Sequence, residues 1–221
     1  MTEHDVIAVR PHTHEICELI LDRKDVIFEP GESVVLFGPD HISRPYSIAS
    51  GVDDAELRFL IRRMANGELS PWLADRGPGD RVVISEPFGA FRPGAADGAS
   101  MQSVFVATGV GIAPFLSYAQ SVRYARRPRC LYGVRYLSEA FGLDLLRTRT
   151  DLELAISREE AEGHHGGRVT DLLPELPLEG DGHFFLCGYD AMVDEVTYWL
   201  HEHGVPRDRI HGEVFFGVSP G

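Results

Sequence analysis

The strongest constraint on the fold is a change of pattern near residue 97. After it, strand-like runs alternate with helical patterns. The predicted strands are SVFVAT, RCLYGVR, LELAIS and HFFLCG, and the predicted helices that follow them are PFLSYAQSVRYAR, SEAFGLDLLRTR, VTDLLPEL and DAMVDEVTYWLHEHG. Such alternation implies parallel strands joined by right-handed crossovers. Residues 98–221 are therefore predicted to form an α/β domain with a doubly wound parallel sheet.

The chain before this change consists of short β-rich runs separated by turn signals. The runs are VIAV, EICELIL, SVVLF, LRFLIRR and RVVISE, with turns at Pro30-Gly31, Gly38-Pro39 and residues 77–80. Strands of this size and spacing are typical of an antiparallel sandwich or a small barrel. We expect an N-terminal antiparallel β-barrel over residues 1–97, with residues 92–98 as the linker to the second domain.

Composition excludes several classes of protein. With 43% hydrophobic and 25% charged residues, the 221-residue chain has the composition of a soluble globular protein. No apolar run approaches the length needed to span a bilayer, and the N-terminus carries no signal sequence, so a cytoplasmic location is expected. The net charge of −13 is spread over both halves, which argues against binding to nucleic acid or an anionic membrane.

Residue usage also limits the chemistry. Lys24 is the single lysine, which makes Schiff-base catalysis improbable. The three cysteines lie far apart, so neither a disulfide framework, a structural zinc site nor a cysteine-ligated iron–sulfur cluster is indicated. Histidines occur in neighbouring pairs but without a metal-binding motif, and no metal is expected.

The most informative segment is a glycine-containing turn between a buried strand and a helix. Glycines there let the backbone turn tightly and approach a phosphate, and the helix start offers amide groups to a pyrophosphate. Alternatively, the glycines only close a strand–helix turn. The turn comprises Thr108, Gly109, Val110, Gly111, Ile112, Ala113 and Pro114.

Three further segments have both a binding and a purely structural interpretation. In RPYSIAS, Arg44 could bind a phosphate, Tyr46 could stack on a flat heterocycle and Ser47 could form a hydrogen bond with the edge of that heterocycle. Alternatively, Arg44 is a surface cation, Tyr46 a core aromatic residue and Ser47 a hydrogen-bond donor in a turn. Residues 67–70 precede a helical stretch that could bind an anion or be capped by Ser70. Cys187 ends a buried strand, where ligands gather in parallel sheets, although packing is the common role.

The ordered set of these segments resembles the ferredoxin–NADP reductase superfamily. It runs from FEPGESVVLF through RPYSIAS, NGELSPWL, GPGDRVVISEPFGAF, ATGVGIAP and LYGVR to LCGYDAM and GEVFF, and covers nearly the whole chain. The resemblance implies an FAD-binding barrel followed by a nicotinamide-nucleotide domain. The order of the segments, rather than any one of them, carries the resemblance.

The resemblance also implies residue roles. Arg44 and residues 67–70 would hold the FAD phosphates, Tyr46 would stack on the isoalloxazine, and the glycine turn would hold the nicotinamide-nucleotide pyrophosphate. Ser47, Cys187 and Glu213 are the expected catalytic residues. The expected cofactor-binding residues are Arg44, Pro45, Tyr46, Ser47, Ile61, Gly67, Glu68, Leu69, Ser70, Thr108, Gly109, Val110, Gly111, Ile112, Ala113, Pro114, Arg135, Ser157, Arg158, Arg168, Cys187, Gly188, Met192 and Phe215.

The function that this resemblance implies is hydride transfer from NADPH to FAD, followed by electron transfer to a ferredoxin- or flavodoxin-type protein. NADPH is expected because Ser157, Arg158 and Arg168 resemble the serine and basic residues of NADPH-using members, while Glu159 and Glu160 leave NADH open. Alternatives are the reductase component of an oxygenase system and a nucleotide-binding electron-transfer subunit of a larger complex.

Some features depart from the family pattern. Tyr189 stands where proline is usual, and the chain continues beyond Phe215. No cysteine-rich ferredoxin segment is present in the sequence, so a separate redox partner or a small acceptor is expected. A run of four arginines is expected to close a helix, where cations suit its dipole, or to dock an acidic protein. The run is Arg123, Arg126, Arg127 and Arg129.

Overall fold

The computed structural model describes residues 1–92, 103–123 and 126–214. The expected domain boundary between residues 97 and 98, most of the expected linker and Phe215 lie outside these described residues. The chain divides into two compact units. The first contains Met1–Ala90 and Ala113–Ser121, and the second contains Phe91–Ile112 and Val122–Gly221.

The first unit is built on six antiparallel strands in the order β4-β3-β6-β1-β2-β5. Immediately after β4, the amide of Ala49 donates to the carbonyl of Arg58 at 2.8 Å, which joins the two edge strands in part. The sheet is therefore barrel-like. Its strands are β1 (Thr2–Pro11), β2 (Ile16–Asp22), β3 (Ser33–Phe37), β4 (Ser43–Ser47), β5 (Glu56–Arg62) and β6 (Arg81–Ile84).

Alternation of apolar residues explains how these strands build a core. Every second side chain of β5, at Leu57, Phe59 and Ile61, is fully buried in one hydrophobic cluster. Val34 and Leu36 of β3 enter the same cluster with the same period of two. Helix α1 (Leu69–Ala74) adds Leu69 and Leu73 to that cluster.

Helix α2 (Ala113–Ser121) groups with the first unit, although it follows the first strand of the second. The Gln120 side-chain amide donates to the carbonyl of Ala49 at 2.8 Å, and the amide of Val52 donates to the hydroxyl of Ser121 at 2.9 Å. These bonds attach the helix to the loop after β4.

The second unit is a parallel sheet in the order β10-β9-β8-β7-β11-β12. Strands β8, β9 and β10 lie in chain order on one side of β7, and β11 and β12 lie on its other side. The fold class predicted from the sequence is thus confirmed. The strands are β7 (Ser103–Thr108), β8 (Arg129–Val134), β9 (Asp151–Ile156), β10 (His165–Gly166), β11 (His183–Gly188) and β12 (Ile210–Val214).

Two helices, α3 (Leu143–Arg149) and α4 (Asp190–Glu202), accompany this sheet. Helix α4 buries Met192, Val193, Val196 and Leu200, a helically spaced stripe, in a cluster with strand residues such as Leu186. Short 3-10 turns lie at Gly109–Ile112, Leu137–Glu139, Val169–Glu175 and Arg207–Arg209.

The structure corrects several expected helices. The segment expected as one helix over 138–149 is interrupted, because Gly142 is left-handed with φ +61° and α3 starts only after it. The segment VTDLLPEL forms a 3-10 helix that contains Pro174. Helix α2 ends at Ser121, so the arginines beyond it do not close that helix, and Arg129 begins β8.

No helix within the described ranges is long and apolar enough to cross a membrane. In the same part of the chain, no three histidine, cysteine, aspartate or glutamate side chains are grouped so that they could hold a metal ion.

Candidate functional site

The glycine turn lies at the point where the strand order of the parallel sheet reverses. Strand β7 ends at Thr108, the 3-10 turn Gly109–Ile112 follows, and β11 lies beside β7. Ligands of open α/β sheets bind in the crevice outside the carboxyl ends of the strands at such a point. Topology therefore places the predicted pyrophosphate segment where this class of sheet binds ligands.

Close packing requires glycine at two positions of this crevice. A Cβ added to Gly111 would lie 2.5 Å from the carbonyl oxygen of Cys187, so the turn packs directly on β11. Gly188 has φ +143°, and a Cβ there would lie 2.9 Å from the amide nitrogen of Thr108. Close packing is by itself a sufficient reason for glycine at positions 111 and 188. This agrees with the alternative interpretation, in which the glycines of the turn only close the connection between strand and helix.

Hydrogen bonds fix the shape of the turn. The amide of Tyr189 donates to the Thr108 hydroxyl at 2.9 Å, which links the segments that follow β11 and β7. The Tyr132 hydroxyl donates to the carbonyl of Gly109 at 3.0 Å. Sequence reasoning missed both contacts, although a tyrosine inside the apolar run of β8 is a signal for a buried hydroxyl that needs a partner.

Exposure limits which parts of the turn a ligand can reach. Thr108, Gly109 and Val110 are partly exposed, whereas the side chains of Ile112 and Pro114 are buried. Ala113 is buried in the same way. A ligand here would contact the backbone and the first three residues of the turn.

Two of the predicted catalytic residues are neighbours across the sheet. Cys187 of β11 is in register with Glu213 of β12. The thiol is fully buried, and burial raises the pKa of Cys187 well above its usual value, with a further increase from the Glu213 carboxylate. The cysteine is therefore a neutral thiol beside a carboxylate, next to the crevice.

The residues predicted to select the nucleotide follow two adjacent parallel strands. Strands β9 and β10 end side by side, with Gly166 opposite Ile156. Arg158 lies two residues after the end of β9 and Arg168 two residues after the end of β10, so both follow strand ends at the same edge of the sheet. Arg158 is exposed, and its amide donates to the carbonyl of Arg135 at 2.9 Å. Ser157 is also exposed at this edge, and its amide donates to the carbonyl of Val134 at 3.0 Å.

Carboxylates engage some of the charged groups near this edge. The Arg168 guanidinium lies 3.0 Å from the Glu195 carboxylate. Arg135 pairs with the buried carboxylate of Glu139, with 3.0 Å between Nε and Oε1. The Glu159 carboxylate accepts a hydrogen bond from the amide of Leu137, which directs this acid toward the segment after β8.

Two predicted cofactor-binding side chains belong to the cores instead. Met192 is 2% exposed in the cluster formed by α4 and the parallel sheet, and its amide donates to the carbonyl of Tyr189. Ile61 is fully buried in the cluster of the first unit. Their side chains stabilise the two units, and only the backbone of Ile61, on edge strand β5, could face a ligand.

In the first unit, strand β4 contains four of the predicted binding residues and pairs with β3. These residues are Arg44, Pro45, Tyr46 and Ser47. Arg44 is exposed, and its guanidinium donates to the carbonyl of Ser43 at 2.7 Å. Tyr46 is half-buried against the core, and burial raises the pKa of its phenol to about 12. Ser47 is buried within this strand, with its hydroxyl 3.2 Å from that of Ser33, so its expected alternative role as a turn donor is wrong.

The second predicted phosphate segment of this unit leads into α1. The amide of Gly67 donates to the carbonyl of Met64 at 2.9 Å, and the Ser70 hydroxyl accepts a hydrogen bond from the amide of Met64 at 3.0 Å. Ser70 lies inside the helix, so it is not the cap. Gly67 and Glu68 are exposed, whereas Leu69 and Ser70 are buried.

Comparison with known proteins gives many similar sequences, two of which are described here. The chain is 31% identical to ferredoxin–NADP reductase B of Sorangium cellulosum, over 96% of this chain and 97% of that protein. It is 28% identical to the ferredoxin–NAD(P)+ reductase component of the naphthalene 1,2-dioxygenase system of Pseudomonas putida, over 96% of this chain and 68% of that protein. No protein-family model matches the chain.

A solved structure shows the same fold. A ferredoxin NADP+ reductase from Neisseria gonorrhoeae, with bound FAD and NADP, superposes with a TM-score of 0.86 at 23% identity, over 97% of this chain and 98% of that chain. At this identity the similarity concerns the fold.

Proposed function

Because the chain belongs to the ferredoxin–NADP reductase family, we propose that it is a flavoprotein oxidoreductase that passes a hydride from NADPH to FAD and then electrons to a ferredoxin- or flavodoxin-type protein. One structural observation carries the proposal. The reversal of strand order brings the glycine turn beside Gly188 and places Cys187 in register with Glu213. This crevice has the topology of a dinucleotide site.

The residues present fit a nicotinamide dinucleotide. Thr108, Gly109 and Val110 offer a partly exposed backbone at the switch point, where a pyrophosphate binds in sheets of this class. At the edge formed by β9 and β10, exposed Arg158 and Arg168 supply guanidinium groups whose forked geometry matches a phosphate. These two arginines suit the 2′-phosphate of NADPH.

The same edge favours NADPH over NADH. An acid that binds the ribose hydroxyls of NADH must present its carboxylate at this edge. The Glu159 carboxylate instead accepts a hydrogen bond from the amide of Leu137. Arg158 is thus an exposed group of this segment that can read a 2′-phosphate, with Ser157 beside it, while the exposed Glu160 is the acid that leaves NADH open.

The first unit fits FAD through β4 and the loop before α1. Arg44 presents an exposed guanidinium, Tyr46 a half-buried ring, and Gly67 and Glu68 an exposed loop backbone. A phosphate, a planar ring and a second phosphate are the chemical partners of these groups. Residues 1–97 as the FAD domain and 98–221 as the nucleotide domain remain part of the proposal.

The bound nicotinamide and flavin supply the hydride and electron chemistry. The chain holds the two rings and excludes water from them, with no side chain acting as a nucleophile. Cys187 contributes a neutral, buried thiol beside the crevice. Glu213, the predicted catalytic acid, is in register with Cys187 on the neighbouring strand β12. We assign Ser47 to the flavin edge as a positioning residue.

A second acceptor class is favoured by the similarity to reductase components of oxygenase systems. The Pseudomonas putida relative extends beyond the matched region, since this chain covers 68% of it. An oxygenase component is therefore an alternative recipient of the electrons. A cytoplasmic location is likewise part of the proposal.

The test begins with the purified protein. It is expected to be yellow, to release FAD on denaturation, and to reduce an electron-accepting dye and a ferredoxin with NADPH. Chromatography of the released flavin separates FAD from FMN. Release of FMN alone, or failure to bind FAD on reconstitution, contradicts the proposal. A flavin-loaded protein that does not turn over by itself supports the subunit alternative.

A further inference from the structure

A buried tyrosine hydroxyl joins the glycine turn to the neighbouring strand of the parallel sheet, and the function proposed above gives it no role. Tyr132 of β8 is in register with Ala107 of β7, one residue before β7 ends at Thr108. The Tyr132 side chain is fully buried, and its hydroxyl donates to the carbonyl of Gly109 at 3.0 Å. The turn is thus held by a side chain that is itself closed to solvent.

A second hydrogen bond fixes the direction of this hydroxyl. The amide of Phe141 donates to the Tyr132 hydroxyl oxygen at 3.3 Å. A tyrosine hydroxyl has a single proton to donate, and the bond accepted from Phe141 leaves that proton for the Gly109 carbonyl. Phe141 precedes Gly142, the left-handed residue after which α3 starts. The hydroxyl therefore connects the glycine turn to the segment before α3.

The bond to Tyr132 also sets the orientation of the next amide. The carbonyl and the N–H of a trans peptide point in opposite directions, because the peptide unit is planar. The Gly109 carbonyl points to the buried hydroxyl, so the N–H of Val110 points away from it. Val110 is partly exposed and lies in the first turn of the 3-10 helix, where amides have no partner within the helix. This amide is the one that an anion on the open side of the turn would meet.

The peptide between Gly109 and Val110 needs such an anchor. Gly109 has φ +52°, in the left-handed region, and glycine has more accessible backbone conformations than any other residue. Without the bond to Tyr132, this peptide could rotate and carry the Val110 amide away from an anion. A donor that is already oriented binds more tightly than one that the ligand must order.

We infer that Tyr132 is a positioning residue for the nicotinamide dinucleotide, which acts on the pyrophosphate through the peptide between Gly109 and Val110. The inference rests on the proposed function, in which the glycine turn binds that pyrophosphate. Because the tyrosine is buried behind the turn, it sets the affinity for the dinucleotide and not the rate of hydride transfer. The 2′-phosphate site is independent of it, since Arg158 and Arg168 follow β9 and β10.

Tyr132→Phe tests the inference, because it removes the hydroxyl and keeps the buried ring. Calorimetric titration of the FAD-loaded protein with NADP+ should show a Kd increased about two- to tenfold, as the loss of one hydrogen bond predicts. The limiting rate of flavin reduction at saturating NADPH, measured by stopped flow, should stay at the wild-type value. The Kd for adenosine 2′-monophosphate, which carries no pyrophosphate, should also be unchanged, and this verifies that the second unit of the variant is folded.

The matched control is Tyr198→Phe, which removes the hydroxyl of an exposed tyrosine on α4 of the same unit and should leave NADP+ binding unchanged. Equal affinity of the wild type and Tyr132→Phe for NADP+ overturns the inference alone. A similar weakening of NADP+ and adenosine 2′-monophosphate also overturns it, because that result identifies a residue that only stabilises the unit. A wild-type protein that binds no nicotinamide dinucleotide overturns the proposed function as well.

Discussion

Burial decides what the thiol of Cys187 can do. The residue is fully buried beside a carboxylate, and both effects disfavour the thiolate, so the pKa of Cys187 lies well above its usual value. A group with a raised pKa remains protonated as the pH increases toward that value. Cys187 is consequently neutral throughout the neutral range and can act through its size and weak polarity, but not as a nucleophile.

We predict that Cys187→Ala slows flavin reduction by NADPH while FAD stays bound, because the thiol lies beside the crevice and not at the flavin phosphates. Stopped-flow reduction of the flavin measures the effect. Cys130→Ala is the matched control, since Cys130 is equally buried near the amino end of β8. Unchanged reduction in Cys187→Ala would identify a packing residue. The wild-type rate should show no thiol ionisation between about pH 7 and 9.

Arg158 provides a second prediction at this scale. Its guanidinium is exposed at the edge of the sheet where the ribose phosphate is expected, and a charge-assisted bond contributes about 1.5–3 kcal/mol. Arg158→Ala should therefore lower the preference for NADPH over NADH by roughly ten- to a hundred-fold. The measurement is kcat/KM for both donors.

A control for Arg158 removes another exposed arginine of the same unit, Arg207, which begins a 3-10 turn before β12. Arg207→Ala should leave the donor preference unchanged. Equal efficiencies with both donors in the wild type, or an equal loss of both in Arg158→Ala, would show that Arg158 does not read the phosphate.

At the scale of elements, the contact between the 3-10 turn and β11 determines the shape of the crevice. Gly111 lies so close to the Cys187 carbonyl that a methyl group cannot be placed without moving one of the two backbones. Backbone atoms move less readily than the end of a flexible side chain, so an added methyl group at position 111 should lower the stability of the fold by overpacking.

Gly111→Ala should therefore destabilise the second unit by about 1–3 kcal/mol and weaken binding of NADP+. Thermal unfolding and NADP+ titration measure the two effects. Gly166→Ala is the control, because a Cβ at Gly166, on edge strand β10, has no atom within 4 Å. If both variants behave alike, the turn tolerates the displacement and the close approach does not shape the site.

At the scale of the whole molecule, the net charge of −13 affects encounters with charged acceptors. Like-charge repulsion reaches about 30 Å at 0.01 M salt but only about 8 Å at 0.15 M. We therefore predict that reduction of ferricyanide, a trivalent anion, accelerates with increasing ionic strength, whereas reduction of an uncharged quinone does not change. Initial rates over that salt range give the comparison. A flat profile with ferricyanide would mean that the local field at the acceptor site is close to zero, and a rate that falls with increasing ionic strength would mean that this field is positive.

Sequence by itself determined the fold class and several element boundaries. The runs SVVLF, SVFVAT and HFFLCG form strands with the predicted limits, because each is an apolar stretch bounded by turn residues and its preference is local. The order of the segments also identified the family, and the alternation of strands and helices predicted the parallel sheet. The roles of individual site residues remain predictions.

Only the tertiary structure decided which distant residues meet. The register of β11 with β12 pairs Cys187 with Glu213, and packing attaches α2 to the first unit through Gln120. Local patterns act over a few residues, whereas these contacts depend on strand register and on packing between elements, which no short window of sequence contains.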